Sequence, residues 1–480
     1  MLTLTNFIAG EPCPPAAGSY LDDIEPATGA VCAQVPDSSA EDLERAVGSA
    51  KEAFERWSRV SAGERAAILL KIAGGIERRL DELARTETID NGKPLSVSSS
   101  VDIPRASANF RFFAHAITQF SSEAHSMGEA ALNYTLRDPL GVVGCISPWN
   151  LPLYLLTWKV APGIAAGNCV IAKPSELTPM TACLLGEIAN EAGLPPGVLN
   201  ILHGRGSGIG AALCTHPAIK AISFTGGTKT GAEIARTAAP LFKKLSLELG
   251  GKNPTLVFAD AEWRESLPEI IRSAFANQGQ ICLCGSRLLV ERSIYEEFRD
   301  RFVEGVRSLR VGDPLEPDTD QGALISSQHT DKVLSYVELA RQEGGTILTG
   351  GNRATVKGRC AGGFFVEPTV VEGCPPRCRT NVEEVFGPFV TLIPFDSEEE
   401  AVDIANATEY GLAASVWTSN LQRAHRVARH LECGIVWVNT WMLRDLRTPF
   451  GGVKQSGVGR EGGLEALRFF TEAKNVCVKL

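Results

Sequence analysis

The chain has 480 residues, too many for one compact core at the usual ~100–200 residues per domain, so more than one domain is expected. Composition is ordinary for a globular protein, with 44% hydrophobic and 21% charged residues, and the net charge is −9 without a long basic run. That balance argues against nucleic acid or an anionic membrane as the main partner, while a few local arginines would suffice for a small anion.

The start, "MLTLTNFIAGE", lacks a basic n-region and a long apolar core, so the expectation is a cytoplasmic protein. Residues 40–90 place apolar side chains at i, i+3 and i+4 in "SAEDLERAVGSAKEAFERW" and "AGERAAILLKIAGGIERRLDELARTETID", which predicts helices. Ser38 precedes Glu41 by three, the spacing of a capping box. The most apolar stretch, 151–172, is broken by Lys159, Pro162, Gly163, Gly167 and Asn168 and reads as a buried element, not a membrane span. From about residue 140, "LGVVGCISP", "CVIAKPS", "GVLNILHG" and "AISFTGG" read as strands of a largely parallel sheet with helices between them. A second strand–helix series follows residue 250, and the tail "AKNVCVKL" alternates like an edge strand that pairs within the chain or with another copy.

The 13 cysteines are odd in number and scattered, which argues against a disulfide framework. Cys374 and Cys378 have no second pair or nearby His to complete a zinc site, so no metal is expected.

Several short stretches carry side chains with chemistry. In "SPWNLPL", Asn150 follows a strand beside Trp149; a side-chain amide there donates to an oxyanion or simply satisfies a turn. In "IAKPSEL", Lys173 and Glu176 follow a strand end where open α/β sheets bind ligands. They hold ribose hydroxyls, with the carboxylate favouring NAD over NADP, or they are solvated loop charges. "GRGSGIG" resembles a dinucleotide fingerprint with its spacing off by one, and "FTGGTKTG" offers Gly226 and Gly231 in a strand–turn–helix context. In "LSLELGGKNP", Glu248 lies in an apolar run, either as a paired structural charge or as a carboxyl raised by burial toward general-base use. Finally, "NQGQICLCGSR" holds Cys282 and Cys284. A thiol needs a positive field or a base to become a nucleophile, and spacing alone does not aim the two sulfurs.

Seven ordered motifs, "SPWNLPL", "IAKPSE", "FTGG", "LELGGKNP", "GQICLCGSR", "EEVFGPF" and "PFGGVKQSGVGRE", follow the "NFIAGE" start. Together they resemble the NAD(P)-dependent aldehyde dehydrogenase superfamily over nearly the whole chain. The resemblance implies an α/β fold with a Rossmann-type NAD-binding domain (1–118 and 140–248), an α/β catalytic domain (249–452) and a small β oligomerisation element (119–139 and 466–480). It implies Cys282 as nucleophile, Glu248 as general base and Asn150 as oxyanion donor, with Cys284 a bystander. It further implies NAD contacts from Trp149, Lys173, Glu176, Gly226, Gly227, Glu384 and Phe386, and a homodimer or homotetramer. Two departures stand out: Gly227 replaces the family's usual serine, and Leu151 follows Asn150 where many relatives carry phenylalanine.

"DIPRASANFRFFA" and "WVNTWMLRDLRTPFGG" look like the branch that oxidises 2-aminomuconic or 2-hydroxymuconic semialdehyde. Relatives there use two arginines, matching Arg105 and Arg444, on the substrate's distal carboxylate, and guanidinium forks suit that task. Arg111 and Arg447 are the backup candidates. The rival readings are a broad-specificity or betaine-type dehydrogenase, which calls for an aromatic or acidic pocket, and a non-catalytic protein on the same fold.

Overall fold

The computed structural model describes residues 2–480. An eight-stranded sheet runs, edge to edge, through Gly457–Val458, Lys244–Glu248, Ile219–Thr225, Val142–Ile146, Cys169–Lys173, Leu199–Ile201, Asn6–Ile8 and Glu11–Cys13. Its five inner strands are parallel and its edges antiparallel. Val142–Ile146 and Cys169–Lys173 are buried at every position, which explains their unbroken apolar runs: helices cover both faces of the sheet. The chain passes from Val142–Ile146 outward through Cys169–Lys173 and Leu199–Ile201, then returns to the other side with Ile219–Thr225. The order therefore reverses between Val142–Ile146 and Ile219–Thr225, and the crevice beyond such a switch point is where open α/β sheets take ligands.

A seven-stranded sheet, parallel except for its edge strand Thr346–Thr349, is built from residues 253 to 438. The helices expected over 40–90 are Ala40–Trp57, Ala62–Arg78 and Leu80–Asn91, the last closed by Gly92 in the left-handed conformation. The capping box at the first of them lies one residue beyond the expected Ser38–Glu41 pair. Ser38 is drawn away, its hydroxyl donating to Asn6 Oδ1 at 3.0 Å and its N–H to the His203 carbonyl at 3.2 Å. Ser39 becomes the N-cap, and Asp42 accepts from its N–H at 2.9 Å.

The apolar stretch after Asn150 forms the helix Pro152–Ala165, buried along its whole length. Among the described residues, no helix is long and apolar enough to cross a membrane. The tail strand Thr471–Lys479 pairs antiparallel with Ala131–Pro139, which also pairs with Ala124–Ser126 in a small three-stranded sheet. The tail thus finds its partner within the chain.

Candidate active site

Helix Trp263–Phe275 ends in a tight turn whose residues Asn277, Gln278 and Gly279 all have positive φ, at 51°, 55° and 68°. The left-handed region costs roughly 1–2 kcal/mol for each residue with a Cβ, so Asn277 and Gln278 need compensation. Their amides supply it: Asn277 Nδ2 donates to the Asn150 carbonyl at 3.0 Å, and Gln278 Nε2 to the Ala323 carbonyl at 2.9 Å. At Gly279 a Cβ would collide with the Gly387 carbonyl. This pinned turn delivers the loop that holds the two cysteines.

Asn253 Nδ2 fastens that loop by donating to the carbonyls of Cys282 at 2.7 Å and Cys284 at 2.9 Å. The sulfurs part ways from there. Cys284 is buried, with its thiol 3.7 Å from the Ala276 carbonyl. Cys282 is only partly buried and lines a cleft of about 660 Å³ together with Asn150, Gly226, Gly227, Glu384 and Phe386. Burial first, then the carboxylates of Glu384 and Glu248, push the Cys282 thiol up from its ordinary range, while Arg444 pulls the other way.

Asn150 sits in the turn between Val142–Ile146 and Pro152–Ala165, and its carbonyl accepts from buried Lys93 at 2.9 Å. Its side-chain amide donates one hydrogen to the Gln280 carbonyl at 2.8 Å, leaving the second N–H for a ligand. Glu248 closes the strand Lys244–Glu248, and neither of its carboxylate oxygens has a hydrogen-bond partner. Burial, then the nearby Glu461, hold its carboxyl well above the usual range, against the pull of Lys159, Arg460 and Arg444. Gly451 makes room for this carboxylate: a Cβ there would lie 2.6 Å from Glu248 Oε1. Lys159 and Glu461 form a buried ion pair beneath it that no local motif announced.

The cleft fits a dinucleotide. Gly227 is the N-cap of helix Thr228–Ala238, and a Cβ added there would meet nothing within 4 Å, so the cleft is open beside the helix start, where N–H groups suit a phosphate. The missing family serine therefore removes a hydroxyl and leaves the backbone donors. A neighbouring, mostly apolar cavity is walled by Ile146, Phe224 and Ile234 and by the turn Gly206–Gly210. That turn belongs to "GRGSGIG", whose imperfect fingerprint spacing reflects a wide π-type turn. Lys173 Nζ reaches Glu176 at 2.8 Å, and Glu176 accepts from Gly206 N–H at 3.0 Å, which ties both charges to the turn that walls this cavity. Burial pushes Glu176 up, but Lys173 and the Gly206 N–H outweigh it and leave the carboxyl below its usual range.

Glu384 accepts from Gly251 N–H at 2.9 Å; a Cβ at Gly250 would collide with Glu384, and one at Gly251 would lie 2.8 Å from the Cys282 carbonyl, which accounts for both glycines of "LELGG". Trp149 lies 5.3 Å edge-on from both Phe386 and His329. His329 Nε2 is 2.7 Å from the Phe386 carbonyl, and burial lowers its pKa to about 4. His329 and Lys332 line the cleft from helix Ser327–Gln342; sequence reasoning missed them because no spacing marks that helix face.

On the other side of Asn150 and Cys282, Leu151 and Ile281 line a second cavity of about 1200 Å³ open to solvent. Tyr154 and Trp441 belong to its wall. Beside it, Arg105 and Arg444 converge from distant parts of the chain. The Arg105 guanidinium is 5.5 Å from the Tyr154 ring and 5.8 Å from Trp158. That of Arg444 is 4.0 Å from Phe450 and 5.5 Å from Trp158. Among the described residues neither forms an ion pair with a carboxylate, and Arg105 Nε and Nη2 are buried without a partner. Arg444 does not pair with its neighbour Asp445, because Asp445 is bound by Arg447. Arg111 is likewise committed to Glu77 at the surface. The two backup arginines are thereby spent on surface ion pairs.

The matching family model is the aldehyde dehydrogenase family, over residues 14–476. The chain is 50% identical to the 2-aminomuconic semialdehyde dehydrogenase of Bos taurus, with 100% of this chain and 99% of that one covered. It is 49% identical to the 2-hydroxymuconic semialdehyde dehydrogenase of Pseudomonas sp. (strain CF600), with both chains covered in full. A solved indole-3-acetaldehyde dehydrogenase complexed with NAD+ superposes with a TM-score of 0.97 at 41% identity, covering 100% of this chain and 97% of that one. The chain belongs to the aldehyde dehydrogenase family, and it has that family's fold.

Proposed function

We propose that this chain is an NAD-dependent dehydrogenase that oxidises 2-aminomuconic 6-semialdehyde to 2-aminomuconate. The observation that carries the substrate is the guanidinium pair, Arg105 and Arg444, held among aromatic rings with no carboxylate of the described residues in ion-pair contact. A doubly cationic, partly desolvated site is costly unless an anion completes it, and the far end of a muconic semialdehyde is a carboxylate. 2-Hydroxymuconic semialdehyde is the second reading, since a relative named for it is as similar as those named for the amino compound. A betaine-type pocket would need the opposite charge at this end.

The residues divide the work. Cys282, partly exposed in the cleft, gives its thiol proton to water and attacks the aldehyde carbon as the thiolate, and the free N–H of the Asn150 amide, with the Cys282 backbone N–H, stabilises the oxyanion. When bound, NAD supplies the acceptor for the hydride that leaves the same carbon. Glu248, its pKa raised by burial, takes a proton from a water that hydrolyses the Cys282 thioester. Gly226 and Gly227 would hold the pyrophosphate at the helix start, Lys173 and Glu176 the adenosine ribose, and Glu384 the nicotinamide ribose. Trp149 and Phe386 would wall the cleft. We further infer a cytoplasmic homodimer or homotetramer, with the three-stranded sheet at 124–139 and 471–479 as the bridging element.

The test is NADH formation with a muconic semialdehyde. Arg105→Ala and Arg444→Ala each lower kcat/KM about ten- to a hundredfold, as expected for one charge-assisted contact. Unchanged kcat/KM in both variants removes the carboxylate reading.

A further inference from the structure

Two guanidiniums side by side need something to hold them apart and aimed. Tyr154 stands between them. Its Oη accepts from Arg444 Nη1 at 2.6 Å, and the Arg105 guanidinium lies over the face of the same ring. On helix Pro152–Ala165, Tyr154 and Trp158 are four residues apart and share one face, so the two rings form a continuous wall for both cations.

Because Tyr154 Oη accepts from Arg444, its own hydrogen is free for another partner, and among the described residues no acceptor takes it. The side chain is buried, yet it borders the large cavity that Leu151 and Ile281 also line. Those two residues are the immediate neighbours of Asn150 and Cys282. The phenol thus stands where the substrate cavity meets the guanidinium pair. A carboxylate offers roughly four lone-pair positions, enough for both arginines and one hydroxyl.

We propose that Tyr154 is a specificity-determining residue, whose hydroxyl fixes Arg444 and donates its free hydrogen to the distal carboxylate of the substrate. The proposal rests on the carboxylate reading of the site given above. It adds a neutral donor that sets the direction of the clamp, where two cations alone would accept an anion from many angles.

The probe is a pair of six-carbon aldehydes, 6-oxohexanoate and hexanal, oxidised at saturating NAD. In Tyr154→Phe, which keeps the ring, the ratio of kcat/KM for 6-oxohexanoate to that for hexanal falls about tenfold, with the loss in KM more than in kcat. Arg111→Ala, a surface control, keeps the wild-type ratio, and an equal fall there would overturn the proposal by exposing a general distortion. In an Arg444→Ala background the same Tyr154→Phe change costs less, and an undiminished cost overturns the positioning role. A ratio unmoved in Tyr154→Phe but lowered in Arg105→Ala and Arg444→Ala overturns Tyr154 alone. A ratio unmoved in all three variants overturns the carboxylate reading and the proposal with it.

Discussion

The two ends of the site carry opposite charge in different ways. Around Cys282 the charged groups are carboxyls, Glu248 and Glu384, and burial pushes both toward their neutral form. At the other end stand Arg105 and Arg444, whose guanidiniums lie against aromatic faces. The contrast teaches orientation. On the proposed reading, a substrate with one carboxylate gains only at the arginine end, since the carboxyls around Cys282 offer it no positive partner, and its aldehyde carbon is left for the sulfur.

Four substitutions sharpen or break this contrast. The largest effect belongs to Cys282→Ala, which leaves no more than roughly a thousandth of the NADH formation, whereas Cys284→Ala retains most of it. The reverse outcome would show that the buried thiol, not the one in the cleft, reacts. Next is Glu248→Gln, which slows steady-state turnover about 10²–10⁴-fold while sparing a first-turnover burst of NADH. Its raised pKa also fixes the sign of the pH dependence. Glu248 is protonated, and so no base, until the pH passes the raised value; turnover therefore climbs with pH above the ordinary carboxylate range and falls on acidification. A pH–rate profile without that climb, or one preserved in Glu248→Gln, would assign the base elsewhere. The smallest effect is that of Glu384→Gln, which keeps the shape but not the charge and raises KM for NAD about tenfold. An unchanged KM would show that the carboxylate acts only on the Gly251 N–H.

The reacting end was legible in the sequence because its parts are local: strand, glycines and a functional side chain stand within a few residues in "LELGG" and "GQICLC". The arginine end was legible only as two separate candidates. Nothing in the spacing shows that Asp445 and Glu77 take Arg447 and Arg111 and leave the other two free; ion pairing is decided by packing across the chain. Tyr154, His329 and Lys332 escaped notice for a related reason, since each contributes one face of a helix that reads as ordinary core or surface. The shifted capping box is the same lesson at small scale: Ser38 and Ser39 both fit the pattern, and distant Asn6 settled the matter.

Asn150 and Cys282 look into one cavity while Leu151 and Ile281, each a single peptide bond away, look into the other. The cleft beside Cys282 and the chamber beside Tyr154 are therefore parted, along this stretch, by a wall one residue thick. Under the proposed roles, side chains behind Leu151 and Ile281 can change for a new aldehyde while Asn150 and Cys282 keep their places. The same thinness sets a limit, because any enlargement that shifts the backbone of either wall residue moves a catalytic atom with it.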